Sequence, residues 1–223
     1  KSIWKEYKNL RGLKYDSKIL KQAENGKTGI ECFDEWIREL KESNYLHNHS
    51  RMWFASIWIF NLRLPWKLGA SFFMKHLLDG DVASNTLSWR WIGGMHTNNK
   101  PYIATKENIN KYTVNRFSDI SNNILNEKDI IKPCRHKCNK IPIQKNFFNS
   151  NILIMFDNDL HITSRSELFK SYSKIFILYN KDIEHNITIS ENVSKFKQCI
   201  IENINKLIPN SEILNNEHLD IFF

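Results

Sequence analysis

Thirteen consecutive residues, Asp79-Gly-Asp-Val-Ala-Ser-Asn-Thr-Leu-Ser-Trp-Arg-Trp91, carry two acids, an amide and two indoles. Carboxylates and an amide can hydrogen-bond the edge of a polar ligand, and an indole can lie against its plane. Asp81 has the short acceptor side chain that caps a helix beginning at Val82. On such a helix Asp81, Asn85 and Trp89 follow at i, i+4 and i+8 and share one face. A face of acid, amide and flat aromatic suits a polar, planar ligand better than a hydrophobic core. The bland alternative is a capped helix with core tryptophans and a solvated Asn85.

These residues need partners from other elements. The segment His47-Asn-His-Ser-Arg-Met-Trp-Phe-Ala-Ser-Ile-Trp-Ile-Phe-Asn-Leu-Arg63 is the most apolar helix of the chain and is expected to be central. Its first turns differ, presenting Asn48, Arg51 and Met52. An arginine at the buried end of an apolar helix needs a carboxylate, and Asp79 and Asp81 are the candidates. His47 and His49 diverge at i and i+2 and do not make a metal site. Pro65 opens a further helix over 66–78 with Trp66, Phe72, Phe73 and Met74.

Around this centre the pattern is helical up to about residue 117. A weakly patterned helix is expected over 1–25, with Trp4, Tyr7, Leu10 and Leu13 at helical spacing. Gly26-Lys-Thr-Gly29 lacks the long glycine-rich cradle of a phosphate loop and reads as a turn. Residues 31–43 form an amphipathic helix through Phe33, Trp36, Ile37 and Leu40, with Cys32 as a buried small hydrophobe. Thr105 caps a short helix over 105–112.

Residues 118–149 read as a linker rich in Asn, Lys and Ser, with Pro133 and Pro142. Cys134, His136 and Cys138 supply three zinc-ligand types there without an evident fourth, so a solvated basic segment is the default and no metal is assigned. From 150 the pattern becomes α/β. Apolar runs at 152–156 and 174–179 read as buried strands, and 166–172 and 190–207 as helices. Asp157 and Asp159 follow the first strand, where parallel sheets often bind ligands.

The chain has 223 residues, a net charge of +8, and few glycines and prolines, seven and five. Residues 1–119 hold 19 Lys and Arg against 12 Asp and Glu, while the remainder holds 13 against 12. The positive field therefore lies in the helical part, as a polyanion-binding surface requires. No apolar run is long enough to span a bilayer, and the four irregularly spaced cysteines suggest reduced thiols, so a cytoplasmic protein is expected.

As an ordered set, Gly26-x-Thr28-Gly29, Asp34, Arg38, Tyr45-Leu-His-Asn48 with Arg51-Met52, Asp79-Gly-Asp81, Ala83-x-Asn85 and Trp89-x-Trp91 resemble the flavin-binding helical domain of DNA photolyases and cryptochromes. Lys106-Glu-Asn-Ile-Asn-Lys-Tyr112 resembles the continuation in antenna-less bacterial relatives. The resemblance covers about 1–117. It implies a mainly α-helical FAD-binding domain over 1–117, present in part, which the linker over 118–149 and the small α/β module over 150–223, read from their own patterns, follow. The implied cofactor is FAD and the implied partner is damaged DNA, with no membrane partner. In that family the light-excited reduced flavin passes an electron to a flipped-out pyrimidine dimer, which then splits.

The resemblance places Asn85 opposite flavin N5. It places Arg51 and Asp79 as an ion pair beside the ring, and Asp81 and Asn48 at the cofactor's polar edge and cavity. Met52 and Trp91 become lesion-pocket walls, and Trp89 and Trp66 the first two tryptophans of an electron relay. Two positions depart from the pattern. Leu13 stands where the third, surface tryptophan is usual, with Tyr15 close by, and His49 replaces a basic contact residue. The phosphate-binding loop and the residues that grip the lesion lie upstream of Lys1 in the family, so the chain is expected to be the C-terminal part of a longer protein. The implied function is a blue-light-driven DNA repair lyase. The alternatives are a flavin photoreceptor without repair activity and a flavin-free nucleic-acid-binding helical module.

Overall fold

Asp16 accepts hydrogen bonds from Lys18 N and Ile19 N at 2.7 and 3.2 Å, which starts helix α1 (Ser17–Glu24). The computed structural model describes residues 10, 13–96, 100–117, 151–179 and 188–215. The expected helix over 1–25 is therefore shorter within the described residues, because Leu13–Asp16 are not helical and Asp16 is the cap. Trp4 and Tyr7 lie outside the described residues.

The described residues fall into two compact units, one up to residue 117 together with 188–190, the other comprising 151–179 and 191–215. In the first, α1 leads through a turn into α2 (Glu31–Ser43). The turn uses Gly26 and Gly29 at φ +60° and +81°, a region that disfavours other residues. The Asp34 carboxylate accepts from Thr28 N, Thr28 Oγ1 and Gly29 N at 2.9, 2.7 and 2.9 Å. Those amides are spent within the protein, which explains physically why this Gly-Lys-Thr-Gly run is a turn and not a phosphate cradle. Cys32 is fully buried, and burial pushes its thiol up to about 12, so it is inert packing.

Helix α3 (Asn48–Ser56) continues into a π-helical turn (Ile57–Asn61), then α4 (Trp66–His76), α5 (Val82–Ile92) and α6 (Lys106–Thr113). Trp36 from α2, Trp53 and Phe54 from α3, Trp58 from the π turn, Phe73 from α4 and Trp89 from α5 meet in one core. Burying such rings contributes about 1.5–3 kcal/mol each before entropy. The end of α2 is joined to the end of α4 through Asn44, whose left-handed backbone (φ 56°) ends α2. Asn44 Nδ2 donates to His76 O at 2.9 Å and Leu78 N donates to Asn44 O at 3.0 Å. This tie fixes where the chain leaves α4 and therefore where Asp79 and Asp81 begin.

In the second unit, β1 (Ile152–Phe156), β2 (Lys174–Tyr179) and β3 (Ser211–Asn215) form a parallel sheet in the order β1-β2-β3. Helices α7 (Ser166–Lys170) and α8 (Glu191–Leu207) supply the crossovers. Ile175 and Ile177 are fully buried, packed with Phe169 of α7 and Ile201 of α8. Beyond β1, Asp159 pairs with Arg165 at 2.9 Å, which accounts for that acid structurally. No group of three or more His, Cys, Asp or Glu capable of holding a metal occurs among the described residues, and Cys134–Cys138 lies outside them. Among the described residues no helix is long and apolar enough to cross a membrane.

His76, the last residue of α4, has a buried Nε2 with no hydrogen-bond partner among the described residues. Burial, with Lys75 and Lys41 nearby, lowers the imidazole from 6.5 to about 4. The native state keeps it neutral, whereas the unfolded chain takes up a proton below 6.5. The stability is therefore complete above pH 6.5 and is lost as pH falls from 6.5 towards 4. Thermal melts at pH 7 and pH 4.5 should show a fall in Tm a few degrees larger for the wild type than for His76→Leu. Equal falls would mean that His76 is not the group titrating.

Candidate functional site

A cleft of about 380 Å³ opens where α3, α4 and α5 meet, which is within the range of small-molecule sites, roughly 300–1,000 Å³. Helix α3 presents Asn48, Arg51 and Met52 to it, the turn before α5 presents Asp79 and Asp81, and α5 presents Asn85, Trp89 and Trp91. Eight of the nine residues singled out from the sequence thus line one cavity. Trp66 does not. It is buried at the start of α4 and, among the described residues, stacks on no other ring, although the Lys67 ammonium lies 5.8 Å from its centre.

Arg51 is held on three sides. Its Nε donates to Leu46 O at 2.8 Å, its Nη2 donates to both Asp79 oxygens at 3.1 and 2.9 Å, and the guanidinium lies 5.2 Å from the Tyr45 ring centre. The pair is only half-buried, so its net stabilisation is small, about 0–1 kcal/mol. Its effect is positional, because it ties the turn carrying Asp79 to α3 across the cleft. Asp81 takes the other expected role and caps α5 by accepting from Ser84 N at 2.7 Å.

Asn85 Nδ2 donates to Ala70 O of α4 at 2.8 Å. A carbonyl can only accept, so the amide nitrogen is the atom facing Ala70, and the side chain's orientation is set. Trp89, one turn on, is 2 % exposed and packs edge-on to Phe73, Trp58 and Phe54, with centroids at 5.1, 6.2 and 6.3 Å. Trp89 is both core residue and cleft wall, so the two readings of this face are not exclusive. Its Nε1 is buried without a partner among the described residues, and packing alone holds it. Trp91 is 37 % exposed and stacks on Tyr102 at 5.6 Å.

Phe73 of α4 and Ser84 and Ser88 of α5 also line the cleft and were not anticipated. Ser84 and Ser88 lie one turn apart on the assigned helix and could have been found from that spacing. Phe73 reads in sequence as one more core aromatic. The lining offers an aromatic wall, carboxylate and amide groups at the edge, and a guanidinium fixed beside them. That donor set fits the ring system of a flavin, a planar group with a polar edge.

The approach of α5 to α4 depends on Gly69. A Cβ there would lie 2.2 Å from Trp89 Cη2 and 3.0 Å from Trp58 Nε1. Gly69→Ala should lower stability by about 1–3 kcal/mol through overpacking, against a helix propensity that favours Ala by about 1 kcal/mol. A thermal melt and the near-ultraviolet circular dichroism of the indoles measure it. An unchanged melt and spectrum would contradict the close approach.

Residues 1–123, more than half of the chain, match the family model of the FAD binding domain of DNA photolyase. The chain is 32 % identical over 140 residues to a deoxyribodipyrimidine photo-lyase of Buchnera aphidicola subsp. Baizongia pistaciae, covering 58 % of this chain and 29 % of that protein. It is 36 % identical over 84 residues to that of Escherichia coli K12, covering 38 % and 18 %. It is 38 % identical over 88 residues to that of Thermus thermophilus, covering 40 % and 21 %. The chain thus spans less than a third of the length of these relatives, and no solved structure matches it. The motif order, the helical cleft and the family match agree, and the chain belongs to the family of photolyase FAD-binding domains, with FAD as its cofactor.

Proposed function

We propose that this chain is the flavin-holding part of a blue-light-driven DNA repair protein that acts on pyrimidine dimers. The observation that carries the proposal is the cleft in which Asn48, Arg51, Met52, Asp79, Asp81, Asn85, Trp89 and Trp91 converge. When bound, FAD supplies a light-excited electron donor, which none of the twenty side chains provides. The residues do the placing. Asn85, turned by its bond to Ala70, would present its amide to the ring. Arg51, fixed by Asp79, would hold a positive charge beside the ring, and the Asp81 carboxylate, which also lines the cleft, would accept a hydrogen bond from it.

Met52 and the part-exposed Trp91 supply apolar lining to the cleft, against which an extruded pyrimidine dimer would rest. Trp89 and Trp66 are assigned as the oxidisable rings that restore the electron. The surplus of positive charge in residues 1–119 supports a polyanionic partner.

The test is repair of an ultraviolet-irradiated oligothymidylate by the chain reconstituted with FAD, in the dark and under blue light. Light-dependent recovery of undamaged thymine, lost in Asn85→Ala and in Met52→Ala by at least about tenfold, is the expected result. Flavin that is retained and photoreduced without any repair would overturn the repair proposal in favour of a photoreceptor. No retained flavin would favour a flavin-free nucleic-acid-binding module.

A further inference from the structure

Next to the cleft lies an aromatic stack that the cleft does not use. Tyr112 of α6 is 52 % exposed and stacks on His49 of α3, with centroids 5.1 Å apart and planes 28° apart. His49 in turn stacks on Trp53 at 5.8 Å and 21°. Trp53 is 2 % exposed, stacks on Trp36 at 5.6 Å, and donates from Nε1 to Asn108 Oδ1 at 2.9 Å. Asn108 lies on the same helix as Tyr112, one turn earlier, so the stack is anchored at its base by the helix that supplies its outer ring. A large ring held half in solvent on a rigid base is a platform.

The surroundings select the occupant. Residues 100–117 hold four Lys and Arg against one Glu. The exposed Lys111 carries its ammonium 5.3 Å from the Tyr112 ring centre, a cation beside the ring. His47 lies 5.4 Å from His49. Asn48 and Met52, one and three residues from His49 on α3, line the cleft, so the helix that backs the platform also forms a cleft wall. Aromatic rings flanked by cations are how proteins hold unpaired bases of a charged strand.

We propose that Tyr112, backed by His49 and Trp53, is a stacking platform for an unpaired base of a DNA strand, outside the flavin cleft. The proposal rests on the nucleic-acid part of the function given above. Opening a duplex to extrude a lesion leaves unpaired neighbours, and a platform backed by a helix of the cleft wall keeps one of them from restacking. His49 then acts through Tyr112 as a spacer that brings the ring level with the surface. This accounts for an imidazole at a position where a flexible cation would point away into solvent.

Fluorescence anisotropy with a labelled oligothymidylate of about twelve nucleotides, and with a fully paired duplex of equal length, tests it at one fixed salt concentration. The full chain should bind the single strand about 5–100-fold more weakly as Tyr112→Ala and near the wild-type level as Tyr112→Trp, with the duplex affinity unchanged. Thermal melts of both variants should match the wild type, since the ring is half-exposed. Equal single-strand binding by wild type and Tyr112→Ala would overturn the platform and leave the nucleic-acid reading standing. Equal weakening towards both probes, or a lowered melt that Tyr112→Trp restores with no change in binding, would reduce the stack to a fastening between α3 and α6. A wild type that binds neither probe would overturn the platform and the nucleic-acid reading together.

Discussion

Helix α5 lies against α4 at Gly69 so closely that no side chain fits between Gly69 and Trp89. This contact sets the depth of the cleft. With Trp89 lodged edge-on among Phe54, Trp58 and Phe73, the helix can neither roll nor retreat. Asn85 is then brought within 2.8 Å of Ala70 O, and the Asp81 cap starts the helix at a fixed point. The functional face of α5 is therefore positioned by its hydrophobic side. Protein interiors are as dense as organic crystals, so such a contact transmits placement from core to site.

The opposite wall is placed by polar ties. Asn44 binds the end of α4 to the end of α2, and the Arg51 clamp binds the turn before α5 to α3. Neither tie contributes much stability. Each replaces a choice of loop conformations by one. The Asp34 cradle does the same for the turn between α1 and α2. Several motif residues that mark the family are thus fastenings of the backbone, and a separate subset lines the cleft. A substitution at Asp34 and one at Asn85 disturb different links of the chain, the first the turn between α1 and α2 and the second the lining of the cleft.

Much of this was legible in the sequence, for identifiable reasons. Helix α2 repeats its apolar residues at strict helical spacing, β1 and β2 are short unbroken apolar runs, and Asp81 has the side chain a cap requires, so these elements fall where expected. Helix–cleft geometry followed from the spacing of Asp81, Asn85 and Trp89. What could not be read depends on tertiary packing. Residues 57–60 are all apolar and Asn61 follows them, and nothing local distinguishes a π turn from a regular one. Strand β3 is five residues with polar ends, and only pairing to β2 makes it a strand. Phe73 is one aromatic among many until α4 is docked. Trp66, five residues beyond the π turn, is buried and does not line the cleft, which depends on how α4 is docked.

The central claim is that the cleft between α3, α4 and α5 receives the flavin's ring. Titration of the chain with lumiflavin, the ring without its ribityl and phosphate tail, measures this most directly. Saturable quenching of lumiflavin fluorescence by the wild type, weakened at least about tenfold in Arg51→Gln, is the predicted result. No saturable binding by the wild type, or equal binding by the two proteins, would contradict it.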